Sequence, residues 1–230
     1  MNIVTIHQPG YLPWLGFFDK MARSDIFVLL DDVQFEKNYF DNRNKIKTSQ
    51  GWAWLTVPVK YRFGQKLNEV EINNEEKWKE KHYKSLLLNY KKSPHFSDYV
   101  SFFQKIYEKK WQKLIDLNIA LIKYLAKELG FKTKLIRSSE LNCQGEKTER
   151  LLNICRKLKT DVYLSGKFGK NYLDEEAFRK NNIKVIYQDF QHPVYPQLYG
   201  NFIPELSIVD LIFNCGLDSP SIISGNKNKC

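Results

Sequence analysis

Histidine is the side chain whose ordinary pKa lets it take up and return a proton near neutrality. Two of the four histidines in this 230-residue chain stand where that chemistry is easy to place. His7 ends the apolar run "NIVTIH" and precedes Gln8-Pro9-Gly10, so a rigid turn holds it one step beyond a buried strand. His192 lies in "QHPVYPQ", where two prolines stiffen a loop that also carries Tyr195 and Gln197. Either ring suits a general base, and His7 equally suits a phosphate contact or a hydrogen bond that completes the strand. The proline-braced loop suits the wall of a sugar site, or is simply constrained.

Other residues offer charge. Asp31-Asp32 end the run "DIFVLL", as acidic strand ends do that hold Mg²⁺ or a sugar hydroxyl. Neighbours on a strand point to opposite faces, so one is expected to cap the following turn while the other faces a ligand. Asn42-Arg43-Asn44-Lys45 is expected to be a loop in which Arg43 grips a carboxylate or phosphate and Lys45 adds a point charge. "LSGKFGK" places Ser165 and Gly166 after another apolar run; such a loop approaches phosphate through its backbone but lacks the P-loop spacing. The start of the helix after Gly145 offers backbone N–H groups to an anion in the same way.

The elements that must position these groups alternate. Strands are expected at 2–7, 26–30, 52–59, weakly at 70–72, then within "KTKLIRSSEL", at 161–164 and at 184–187. Helices are expected at 16–23, 75–90, 96–108, 113–129, 147–158, 174–180 and 206–213. The pattern predicts an α/β fold: a mostly parallel, Rossmann-like sheet with a helical middle, about 75–130, packed on or inserted into it. One domain over 1–218 and a frayed polar tail over 219–230 are expected. In an open sheet of this kind the ligand crevice lies beyond the carboxyl ends of the strands. His7, Asp32, Ser165 and the approach to His192 should therefore share one edge.

Composition excludes several classes. With 43% hydrophobic and 27% charged residues the chain is globular rather than disordered. It has no run of about 18 apolar residues and no secretory signal, so a cytoplasmic protein is expected. Cys143, Cys155, Cys215 and Cys230 are irregularly spaced, which suggests neither a zinc site nor a disulfide framework. No metal is expected. Lys and Arg exceed Asp and Glu by 36 − 26 = 10, a field that attracts phosphates or nucleic acid. The cations are scattered along helices rather than gathered in one arm, so a nucleic-acid partner ranks last.

Taken together, "HQPGYLPWLGFFDKM", "DIFVLLDDVQF", "NRNKIK" with "WLTVPV", "YLSGKFGKNYL", "HPVYPQ" and "LSIVDLIFNCG" resemble the WbqC-like family of bacterial proteins, from about residue 2 to Gly216. The resemblance implies a role in surface-polysaccharide (O-antigen) biosynthesis, by acyl or aminoacyl transfer to a nucleotide-linked amino sugar. It singles out His7, Gln8, Tyr11, Trp14, Asp32, Asn42, Arg43, Ser165, Gly166, His192 and Gln197. In that reading Arg43 and Lys45, or the Ser165-Gly166 loop, hold a pyrophosphate. Tyr11 or Trp14 stacks on a ring, and His7 or His192 takes the amine proton. The resemblance names no certain cofactor and allows an acyl or aminoacyl donor, either a thioester or an ATP-activated acid. An ATP-dependent amide ligase or nucleotidyltransferase is the second expectation, weakened by the lack of a second histidine soon after His7.

Overall fold

The computed structural model describes residues 1–225. In chain order the elements are β1 (Ile3–His7), α1 (Leu15–Ala22), β2 (Ile26–Leu29), the hairpin strands β3 (Arg43–Thr48) and β4 (Gly51–Thr56), and the short pair β5 (Val59–Lys60) and β6 (Glu71–Ile72). Three helices follow: α2 (Trp78–Tyr90), α3 (Phe96–Glu108) and α4 (Leu114–Glu128). Then come β7 (Lys134–Arg137), α5 (Ser138–Leu141), α6 (Lys147–Lys157), β8 (Val162–Ser165), α7 (Glu175–Lys180), β9 (Lys184–Tyr187), α8 (Ile208–Cys215) and α9 (Ser219–Ile223).

Five strands form one all-parallel sheet in the order β7-β2-β1-β8-β9. The fold is therefore the α/β, Rossmann-like class that the alternation of strands and helices predicts. The short β-branched run of β1 sits at the centre, and its side chains alternate between faces. Val4 and Ile6 pack with Val28, Tyr163, and with Leu151, Ile154 and Phe178 from α6 and α7. On the opposite face Phe27 and Leu29 meet Phe17 and Met21 of α1, the helical middle and α8. His7 continues the alternation away from Val4 and Ile6, and its ring lies edge-on to Phe17 at 5.2 Å.

The helical middle packs on one face rather than interrupting the sheet. Leu121 and Leu125, one turn apart on α4, and Phe103 on α3 are fully buried. Each such side chain removed from water contributes about 1.5–3 kcal/mol. Gly130, with φ +70°, ends the turn after α4 as its position predicts.

Several boundaries differ from expectation, and the expected strand 52–59 is split between Gly51–Thr56 and Val59–Lys60, which pair with different partners. Arg43–Thr48 is a strand rather than a loop, pairing antiparallel with Gly51–Thr56. The sequence conceals it because among the inward positions only Ile46 is apolar, while Asn44 is polar and equally buried. Ser138–Leu141 turns into a helix instead of extending β7, since Asp31 accepts hydrogen bonds from the Ser139 backbone N–H and hydroxyl at its first turn. Ser219–Ile223 is helical, with Ile222 and Ile223 in the core, so ordered chain continues past 218. The end of the expected tail, 226–230, including Cys230, lies outside the described residues. Among the described residues no helix is long and apolar enough to cross a membrane.

Candidate functional site

The strand order reverses between β1 and β8: connections from β1 run towards β2 and β7, and those from β8 run towards β9. Open sheets bind ligands at such a point, outside the carboxyl ends. Here His7-Gln8 and Ser165-Gly166 end the two strands. A cavity of about 530 Å³ opens there, lined by His7, Gln8, Lys20, Glu36, Lys147, Arg150, Tyr163 and Gly166 among others. A second, of about 220 Å³, is lined by His7, Gln8, Trp14, Phe17, Tyr39, Phe40, Asp41 and Glu205. His7, Gln8 and Tyr39 belong to both walls.

The His7 ring is fixed by its own strand end. Nδ1 lies 2.9 Å from the Gln8 carbonyl, so Nδ1 carries the hydrogen and donates it, leaving Nε2 with its lone pair. Burial, reinforced by the Lys20 charge, pushes the pKa down to about 3 against the pull of the Gln8 bond, so the ring is neutral at pH 7. Lys20 projects from α1, every residue of which from Leu15 to Met21 is buried. Its Nζ reaches the Ile6 carbonyl at only 3.5 Å and lies 3.9 Å from where a side chain on Gly166 would begin. Burial lowers its pKa to about 7, with Asp19 opposing. Among the described residues Lys20 forms no ion pair, although the Asp19 charge favours its protonated form, as a bound anion would.

Arg150 and Lys147, from the first turn of α6, add positive charge to the same wall. No side chain caps that turn, so its N–H groups add to the field. Asp32 receives Arg150 Nη2 and Ser138 Oγ, both at 2.5 Å. Its carboxylate thereby orients Arg150. Asp31 and Asp32 do not diverge as strand neighbours would, because β2 ends at Leu29; both meet Ser138 Oγ. Burial pushes the Asp31 carboxyl up, but hydrogen bonds from Ser139 and Arg137 outweigh it and hold it below the usual range.

The smaller cavity is built on the elbow between β1 and α1. Trp14 precedes the helix, and its indole covers Gly16, where an added Cβ would sit 2.3 Å from the ring. His192 stacks on Trp14 at 6.4 Å. Its Nδ1 donates to the Pro193 carbonyl at 2.9 Å and its Nε2 accepts the Glu205 N–H at 3.0 Å, so both nitrogens are occupied. His192 thus holds the Trp14 and Glu205 walls. The loop before β3 is pinned to the elbow by the Tyr11 N–H, which donates to the Phe40 carbonyl at 3.0 Å. A Cβ at Gly10 would lie 2.7 Å from that carbonyl oxygen. Asp41 is buried; Oδ2 accepts the Glu36 N–H at 3.1 Å, and Oδ1 accepts nothing from the described residues. Burial raises its pKa to about 6, the Glu36 N–H opposing.

Of the residues singled out in the sequence, the structure brings His7, Gln8, Trp14 and Gly166 onto these walls, with Asp32 behind Arg150. The others lie elsewhere. Tyr11 is buried with its hydroxyl between His82 and Tyr107. Asn42 donates to the Val57 carbonyl, and its own carbonyl accepts the Asn38 N–H. Arg43 lies 4.1 Å over Trp54, and Lys45 lies over Trp52 and Trp54, on the outer face of the hairpin. Ser165 is buried beneath Gly169. Tyr195 donates to Asp210, and Gln197 clamps Ile203 and Lys47. Lys20, Asp41, Arg150 and Tyr39 are the residues that sequence reasoning missed. For Asp41 a signal existed, since it adjoins the Asn42–Lys45 cluster; for Lys20 none did. Among the described residues no group of His, Cys, Asp and Glu is arranged to hold a metal ion.

The model of the WbqC-like protein family matches residues 8–222. The chain belongs to that family. This WbqC-like chain is also 39% identical over 227 residues to an uncharacterized protein of Mycobacterium tuberculosis, covering 97% of this chain and 98% of the relative. No solved structure matches it.

Proposed function

We propose that the protein is a transferase that binds a nucleotide-linked amino sugar and places an acyl or aminoacyl group on its amine, in the service of surface-polysaccharide synthesis. The observation that carries the reading is the position of His7: a neutral ring with a free Nε2, on the wall common to a cationic cavity and an aromatic one. Lys20, Lys147 and Arg150 supply the charge that a diphosphate needs. In the transfer, the amine nitrogen forms a bond to the acyl carbon and its proton passes to His7 Nε2. The bond from that carbon to the thioester sulfur or activated oxygen breaks, and the leaving group departs with the electron pair. Burial is the main force holding the His7 pKa down and the Lys20 charge adds to it; phosphate charge beside Lys20 offsets only that second, smaller part.

The strand order also favours the second reading, an ATP-using ligase, because the crevice at the switch point is where such sheets hold nucleotides. Thermal melting separates the two. Uridine-diphosphate sugars should raise the midpoint in the wild type and raise it less in Lys20→Met. A rise with ATP·Mg²⁺ alone would favour the ligase, and no rise with either would overturn both.

A further inference from the structure

The two cavities that meet at His7 differ in the sign of their charge. The larger one carries Lys20, Lys147 and Arg150 on its wall against Glu36, with Asp32 paired to Arg150 from behind. The smaller contains no lysine or arginine; its charged residues are Asp41 and Glu205, set among Trp14, Phe17, Tyr39 and Phe40. Asp41 is 2% exposed and lines that cavity, with Oδ1 accepting nothing from the described residues. Its place is fixed from behind, since its backbone carbonyl accepts the Asn118 amide at 2.8 Å. Glu205 stands at the rim with φ +58°, a left-handed conformation that its N–H bond to His192 helps to hold.

From this division we infer that the smaller cavity is an amine site: it takes the ammonium-bearing ring of the ligand whose phosphates occupy the larger cavity, and Asp41 is the residue that recognises the amine. The inference rests on the proposed nucleotide-sugar reading and adds to it a specificity residue. A buried carboxylate with an open oxygen gains most from a partner that both donates hydrogen bonds and carries positive charge. Aromatic faces beside it add cation–π attraction and cover the apolar side of a pyranose. Hydroxyl-only sugars present the same shape without the charge, so they leave Asp41 poorly compensated. A ring placed against His7 gives the amine two successive partners: the ammonium binds Asp41, becomes a nucleophile by releasing its first proton to solvent, and passes its second proton to His7 Nε2 as the bond to the acyl carbon forms.

Titration calorimetry near pH 7 with UDP, UDP-glucose and UDP-glucosamine tests the assignment, because Asp41, raised to about 6, is ionised there. Wild type should bind UDP-glucosamine roughly 10-fold more tightly than UDP-glucose. Asp41→Asn keeps the acceptor for the Glu36 N–H and should lose that preference while binding UDP as before. Equal binding of the two sugars by wild type, or a preference that survives in Asp41→Asn, overturns the amine site even though UDP binds. Failure of UDP itself to bind would instead overturn the reading on which it rests. The wild-type comparison requires no variant to fold, and Glu205→Gln at the rim offers a second, milder probe, expected to weaken the preference only in part.

Discussion

β1 ends in a histidine and the loop from Gln188 to Glu205 contains one held the same way, and only the first keeps a ring nitrogen without a partner among the described residues. His7 donates through Nδ1 to the carbonyl of Gln8, and His192 donates through Nδ1 to the carbonyl of Pro193, each at 2.9 Å. The difference lies at the other nitrogen. In His192 it accepts the Glu205 N–H, so protonation would cost a backbone hydrogen bond; in His7 it is open on a wall shared by two cavities. A strand-end or proline-braced position therefore does not make a histidine a base. What matters is whether the second nitrogen has already been used.

His7→Gln should break the comparison most severely. Removing a general base lowers turnover by about 10²–10⁴-fold, measured as acyl transfer to a UDP-linked amino sugar, with the melting midpoint little changed. A variant that retained wild-type turnover would remove His7 from the chemistry.

His82 supplies a third case, with both nitrogens buried: Nε2 donates to the Thr56 carbonyl and Nδ1 accepts from Tyr11. Burial lowers its pKa from 6.5 to about 4, with the Thr56 bond opposing. Its contribution to stability is therefore complete above pH 6.5 and lost as pH falls through about 4, on the order of 3 kcal/mol. Unfolding free energies of His82→Gln should be flatter than wild type between those values. An unchanged pH slope would show that His82 is not the titrating group.

Lys20→Met tests the cation that faces His7. Losing one charge-assisted contact should weaken UDP binding about 10–100-fold. It should also raise the His7 pKa in part, read from ring proton shifts in NMR, because the Lys20 charge adds to the burial that pushes that pKa down. The smallest effect is expected at His192→Gln. Stranding one backbone N–H costs about 1 kcal/mol and lowers the melting midpoint by a few degrees, with turnover reduced less than 10-fold. If His192→Gln were as inactive as His7→Gln, the contrast between the two rings would fail.

Much of the frame was legible. β1, α3 and β9 announce themselves through β-branched runs or helical periodicity, and the carboxyl-end rule then points to His7 and Gly166. β3 stayed hidden because its charged and amide residues alternate in a pattern that reads as a loop. Arg43 and Lys45 accordingly lie along tryptophans rather than on a ligand wall. The rest of the site depends on burial. A lysine in "FFDKMAR" reads as solvated until a sheet and a helix close over it. Asp41 reads as one more polar residue until the hairpin and Asn118 enclose it. Residues such as Tyr195 and Gln197 look chemical in sequence because they are polar, yet they serve to satisfy other buried polar groups.

The contact between Gly10 and the Phe40 carbonyl ties two stretches of chain thirty residues apart into one heritable unit. At 2.7 Å from that oxygen there is no room for a methyl group, so any larger residue at position 10 would push the Tyr39–Phe40 wall outward and enlarge both cavities at once. Descendants of this fold can change what they bind by substituting the wall itself. Loosening the elbow instead alters both cavities together, and a chimera that takes its first forty residues from two different parents would inherit a misfitted seam at the place where both cavities meet.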